Sequence, residues 1–92
     1  MPWLYILKCR DGSYYTGTAA NPEKRLAEHQ QGLEGSYTYN KRPVELVFAN
    51  EFPSWPEAIA REIQIKKWSR KKKEALIKED WEALKRLSKG KK

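Results

Sequence analysis

The spacing of apolar residues changes several times along this 92-residue chain, and each change marks an element. Trp3 to Cys9 is apolar and aromatic and reads as a strand. Asp11-Gly12 is a turn signal, and Ser13 to Thr18 reads as the returning strand. Asn21 can cap a helix, with Pro22 at its first position and Glu23 in its first turn. That helix is expected to reach Gln31 and stop at Gly32, before a polar loop from Leu33 to Arg42. Pro43 precedes a third strand, Val44 to Asn50. A second helix opens at Pro53-Ser54-Trp55-Pro56 and runs to Trp68. Ser69 caps a third, to Lys78, and Asp80 a short last one, to Leu87. The order strand, strand, helix, strand, then helices predicts an α/β sandwich (β-β-α-β-α-α, before the short last helix), a small three-stranded antiparallel sheet flanked by helices. One domain is expected over residues 1–88, followed by a disordered basic tail, 89–92.

The hairpin register decides which side chains share a face. A two-residue loop at Asp11-Gly12 would send Tyr5 and Tyr15 to opposite faces. A three-residue loop, Arg10-Asp11-Gly12, pairs Cys9 with Ser13, Leu7 with Tyr15 and Tyr5 with Gly17, so both tyrosines lie on one face. That loop needs a left-handed third residue, and Gly12 stands there. Gly17 then leaves room opposite Tyr5 through which a phosphate or metal could come close. As ordinary strand aromatics, the two tyrosines would need no such reading.

The helices add further groups. Arg25 and His29 are four apart and share a face, while Leu26 and Ala27 are expected to meet the sheet. On the second helix, at about 100° per residue from Ala58, Trp55 falls near ~60°, Ile59 near ~100°, Ile63 near ~140° and Ile65 near ~340°. Glu62, near ~40°, lies inside this apolar stripe. A carboxylate there needs a cation or hydrogen-bond donors: a metal ion, or an ion pair with Arg25 or Lys66, would serve.

Four Trp, five Tyr and two Phe make a packed core feasible for a chain of this size. Single Cys9 forms no internal disulfide and reads as a small strand residue. The chain shows no apolar run of about 20 residues, as a membrane span requires, and no signal-peptide pattern, so a cytoplasmic monomer is expected. Charge is uneven. Residues 1–60 hold six Lys/Arg and seven Asp/Glu, residues 61–92 thirteen and five. Lys66, Lys67, Arg70, Lys71, Lys72 and Lys73 form the densest basic stretch, which suits either a polyanionic partner or a solvated helix surface.

Two phenols, a guanidinium, an imidazole and a carboxylate are the parts needed to cleave a phosphodiester beside one hard metal ion. Trp3-Leu4-Tyr5, Tyr15-Thr16-Gly17, the helix Asn21 to His29, and Glu62 follow one another in an order that resembles the GIY-YIG nuclease domain family. The resemblance covers residues 2 to 80. It is closest to the small single-domain bacterial branch, UPF0213, and to the similar domain of a structure-selective endonuclease. It implies the sandwich just described, with the third strand at one sheet edge. It also implies a metal-dependent endonuclease acting on nucleic acid, DNA by preference, with one Mg²⁺ or Mn²⁺ held by Glu62. Tyr5 is then the first choice for the base that activates water and Tyr15 the second. Arg25 binds non-bridging oxygens, and His29 supports or relays a proton. Gly17, Thr38 and the six basic residues would contact the nucleic acid.

The chain departs from the family pattern in four places. Trp3-Leu4 replaces Gly-Ile, and Thr16 the middle Ile of the second motif. Tyr37-Thr38-Tyr39 stands where many relatives have a histidine, and Glu74-Ala75-Leu76-Ile77 where many have an asparagine. Two other readings remain open: a non-catalytic nucleic-acid-binding module, and a basic adaptor docking a protein partner through Trp81, Leu84 and Leu87.

Overall fold

We describe the fold from a computed structural model of the chain. The structure describes residues 1–31 and 41–89. Strands β1 (Trp3–Lys8), β2 (Tyr14–Ala19) and β3 (Glu45–Glu51) form one antiparallel sheet in the order β2-β1-β3. Helices α1 (Pro22–Gln30), α2 (Trp55–Lys66), α3 (Arg70–Ile77) and α4 (Trp81–Lys89) complete the fold. The α/β class and the third strand at an edge are as expected, and element ends differ by one or two residues.

Central β1 carries the core. Leu4, Tyr5, Ile6 and Leu7 are all buried, because helices cover both faces of the sheet. Leu4 and Ile6 pack with Ile65 of α2 and Leu76 of α3 on one face. Tyr5 and Leu7 pack with Cys9, Val44 and Leu26 of α1 on the other. A register shift between Ile6 and Leu7 relative to β3 admits one extra residue there, Val47.

The turn follows the three-residue register. Tyr5 pairs with Gly17 and Leu7 with Tyr15. The Cys9 amide donates to Ser13 O at 2.8 Å, and the Gly12 amide to Cys9 O at 2.9 Å. Gly12 sits at φ +89°, a conformation open to glycine at little cost. Helix starts also follow the sequence. Asn21 Oδ1 accepts from the Lys24 amide, Ser69 Oγ from the Lys72 amide and Asp80 Oδ1 from the Ala83 amide.

Two expectations about helix faces change. On α1, His29 is buried in place of Ala27, which is exposed. On α2, only Ala58 and Ile65 are buried, while Trp55, Ile59 and Ile63 are exposed. The apolar arc of α2 is wider than the strip the sheet can cover, and contact runs along the Ala58–Ile65 line. On α4, Leu84 joins the core and Trp81 points outward, 57% exposed.

Thr16 shows the cost of its substitution. It is 3% exposed, and its hydroxyl has no hydrogen-bond partner. An unpaired buried hydroxyl costs about 1–3 kcal/mol. Thr16→Val, which keeps the shape and removes the orphan group, is expected to raise the melting temperature by several degrees. Thermal unfolding followed by circular dichroism tests this, and an unchanged or lower midpoint contradicts it.

Candidate active site

The hairpin register turns Tyr5 and Tyr15 to the α1 side of the sheet, where they meet His29. The Tyr5 and Tyr15 rings lie 6.2 Å apart, Tyr15 and His29 5.1 Å, and Tyr5 and His29 6.3 Å between centroids. The Tyr5 hydroxyl lies 3.4 Å from His29 Nε2. Tyr5 is 1% exposed and His29 4%, whereas Tyr15 is only half-buried.

Burial sets the protonation of this cluster. It pushes the Tyr5 phenol up to about 12, with Tyr15 adding to the rise and the Arg25 guanidinium working against it. Burial pulls His29 below the usual imidazole value, and the Arg25 charge pulls the same way. Near neutral pH, Tyr5 therefore keeps its proton and His29 is uncharged. The Tyr5 hydroxyl can then donate to Nε2 when the imidazole carries its proton on Nδ1.

Gly17 makes this packing possible. A Cβ there would lie 2.7 Å from the Tyr5 hydroxyl oxygen, 2.9 Å from its ring carbon and 3.2 Å from the Tyr15 ring. The room left by Gly17 is filled by the phenol itself, so a phosphate drawn to this point would meet the Tyr5 hydroxyl. Gly17→Ala is expected to destabilise the fold by about 1–3 kcal/mol, because Tyr5 is too tightly packed to move aside. Displacing the ring should also slow any reaction that depends on it, by about a hundredfold for a shift near 1 Å. Melting curves and turnover measured together test this. A variant as stable and active as the parent contradicts it.

Arg25 stands beside this cluster at the surface. Its guanidinium donates to Glu28 Oε1 at 3.1 Å, with the side chain 45% exposed. Glu28 and then Tyr5 hold its charge in place. Glu62 comes from the opposite layer, at the β2 edge. Its side chain is 18% exposed and forms an ion pair with Lys66 Nζ at 2.8 Å. Its Oε1 accepts from Thr18 Oγ1 at 3.1 Å. The Glu62 charge helps raise Tyr5, and Tyr15 helps raise Lys66, so the two layers act on each other across the strand edge. Thr18, Lys24, Arg25, Glu28 and Trp55 line an open depression of about 610 Å³ here.

Sequence reasoning did not single out Thr18. Its signal was strand parity: Tyr14, Thr16 and Thr18 alternate with Tyr15 and Gly17 and so face α2. Thr38 lies outside the described residues. Of the six basic residues, three have partners at home. Lys66 holds Glu62. Arg70 donates to Gly12 O at 2.7 Å, pairs with Glu74 at 3.0 Å and lies over the Tyr14 ring. Lys72 lies 4.3 Å from the Trp68 ring centroid. Among the described residues, no three His, Cys, Asp or Glu side chains cluster to hold a metal, and no helix is long and apolar enough to cross a membrane.

Comparison with known proteins places this geometry. The UPF0213 protein SSP2268 of Staphylococcus saprophyticus is 48% identical over 77 residues, covering 84% of this chain and 94% of that protein. The solution structure of the UPF0213 protein BH0048 from Bacillus halodurans is 40% identical, with a TM-score of 0.55 over 85% of this chain and 84% of that one. That of EF2693 from E. faecalis is 38% identical, with a TM-score of 0.57 over 83% and 81%. A family model described as the GIY-YIG catalytic domain matches residues 1–75, which include both tyrosine motifs, the α1 pair and Glu62. With a family model matched over most of its length and a relative at 48% identity, the chain belongs to the GIY-YIG catalytic domain family, a family of nucleases.

Proposed function

We propose that this protein is a metal-dependent endonuclease that hydrolyses phosphodiester bonds of nucleic acid, DNA by preference, at the Tyr15–Arg25–Glu62 edge of the sheet. The observation that carries this reading is the convergence of two phenols, an imidazole and a guanidinium on one face with a half-sheltered carboxylate at the adjoining edge.

The donor set fits a hard cation. Glu62 offers oxygen and is sheltered from bulk water, and an ion bound there would take the place of the Lys66 ammonium. Each of its oxygens accepts one described bond and keeps a lone pair. A site with a single carboxylate suits Mg²⁺, which keeps much of its water shell, and Mn²⁺ as a substitute. When bound, such an ion supplies Lewis-acid stabilisation of charge on the phosphate and the leaving oxygen.

The chain's own residues divide the remaining work. Arg25 can present paired N–H donors to non-bridging oxygens, once Glu28 yields one of them. Thr18 fixes the Glu62 carboxylate. The sequence put Tyr5 first as base, but its burial and raised pKa favour Tyr5 as a proton-holding donor that aligns the cluster. Tyr15, half-buried where Tyr5 is fully buried, is the better placed group to take a proton from water. His29 steadies Tyr5. Lys67, Lys71 and Lys73 would attract backbone phosphates without reading sequence.

The test is a panel of labelled single-stranded, duplex, nicked and branched DNA and RNA, incubated with Mg²⁺, Mn²⁺ or chelator. Cleavage of at least one substrate that chelator abolishes supports the reading. The Glu62–Lys66 and Arg25–Glu28 pairs favour one other reading, a nucleic-acid-binding module whose site groups satisfy each other. Binding indifferent to chelator, with no cleavage of any substrate, would establish it.

A further inference from the structure

Trp55 is out of place for its type. An indole is large and mostly apolar, and burying it is a main source of stability in a small domain. Here it is 45% exposed at the first position of α2. Ile59 and Ile63, one and two turns on, are exposed on the same side. Bare apolar surface beside a polar cleft marks a place where a ligand sits.

The surroundings of Trp55 identify the ligand. It lines the open depression together with Lys24 and Arg25 of α1. Asn21 and Thr18 add polar groups, and Glu28 lines the depression with its carboxylate engaged by Arg25. Thr18 links this depression to Glu62, to which it donates. Along α2, Trp55 and Glu62 are seven residues apart, which puts them on nearly the same face and separates them by about 10 Å along the axis. A flat π-surface and two cations lining one depression, with a sheltered carboxylate linked to it through Thr18, call for a ligand with a phosphate and an aromatic base.

We propose that Trp55 is a stacking platform for an unpaired base next to the scissile phosphate, and that it gives the protein a preference for single-stranded or frayed nucleic acid over intact duplex. This rests on the nuclease reading of the neighbouring edge and adds a substrate class to it. Within a duplex both faces of a base are covered by its neighbours, so only an unpaired, terminal or flipped base has a face to offer. Stacking tolerates any base, because each has a π-face, while Lys24 and Arg25 hold the phosphates. The selectivity is therefore for strand structure and not for sequence.

The test is a binding measurement in chelator, so that no cleavage intrudes. The probes are a short oligothymidylate, the matching oligouridylate, and a blunt DNA duplex of equal length. Trp55→Ala is expected to weaken single-strand binding about tenfold. Duplex binding should stay unchanged, because it depends on lysines and arginines elsewhere. Trp55→Phe, which keeps a ring, should retain most of the affinity, and both variants should melt like the parent because position 55 is at the surface. The two single-stranded probes separate DNA from RNA within the same chemistry.

Unchanged single-strand affinity in Trp55→Ala overturns the proposal. So does an equal loss on duplex, or a parent protein that binds no single strand. A parent that sediments as a dimer, becoming monomeric in Trp55→Ala with single-strand binding intact, overturns it in favour of a second copy on this face. Cleavage by Glu62→Ala is read separately. If that variant stays fully active, the reading of the metal edge falls while the stacking result stands. If only the binding test fails, the platform alone is lost.

Discussion

Glu62→Ala is expected to lose Mg²⁺-dependent cleavage by roughly a thousandfold or more while still binding nucleic acid. The magnitude follows from the several kcal/mol that a metal ion supplies by stabilising charge on phosphate oxygens, at about 1.4 kcal/mol for each factor of ten. Retained binding follows because the change leaves in place Lys67, Lys71 and Lys73, the lysines of the basic segment without partners among the described residues. The fold should survive the change. Glu62 contributes a hydrogen bond from Thr18 and an ion pair with a half-exposed lysine, and ion pairs of that kind stabilise little. Single-turnover cleavage with increasing Mg²⁺, alongside gel-shift binding, measures both. Cleavage at the parent rate would remove Glu62 from the mechanism.

The second large effect separates the two tyrosines. Tyr15→Phe is expected to lower the chemical rate by roughly a hundred- to ten-thousandfold, the usual range for removing a general base. Tyr5→Phe removes a donor from a packed cluster and should cost about tenfold, in line with one neutral hydrogen bond. The shape of the pH–rate profile provides the check. If Tyr15 accepts the proton, Tyr15→Phe lowers the rate of the chemical step at every pH measured. Tyr5, pushed up to about 12 by burial, stays protonated across the accessible range, so Tyr5→Phe should leave the profile's shape alone. A larger loss in Tyr5→Phe, or a flattened profile in that variant, would return the base to Tyr5.

Much of the fold was legible because local chemistry and global arrangement agree. Gly12 decided the hairpin register: only a three-residue loop uses its left-handed conformation and puts both tyrosines on one face. Asn21, Ser69 and Asp80 marked helix starts because each carries an oxygen suited to an orphan amide. Depth was harder to read. Arg25 and His29 share a face of α1, yet one is exposed and the other is 4% exposed. Periodicity gives the face of a helix but not how closely each turn approaches the sheet. On α2 it gave the width of the apolar arc and not which part the sheet would cover, so the exposure of Trp55, Ile59 and Ile63 was invisible. The partner of Glu62 was one of the alternatives left open, because a lysine four residues away and a metal ion answer the same electrostatic need.

Arg70 has a consequence that charge counts conceal. It is fastened to Gly12, Glu74 and the Tyr14 ring, and so joins α3 to the hairpin turn. Lys72 on Trp68 and Lys66 on Glu62 are similarly occupied. Lys67, Lys71 and Lys73 are left without partners among the described residues, and their spacing does not line them up along one side of a helix. Such scattered ammonium groups make a diffuse field instead of a fitted track. On the proposed nuclease reading, a strand held by such a field would be free to slide lengthwise and would present successive bonds to the same edge without letting go.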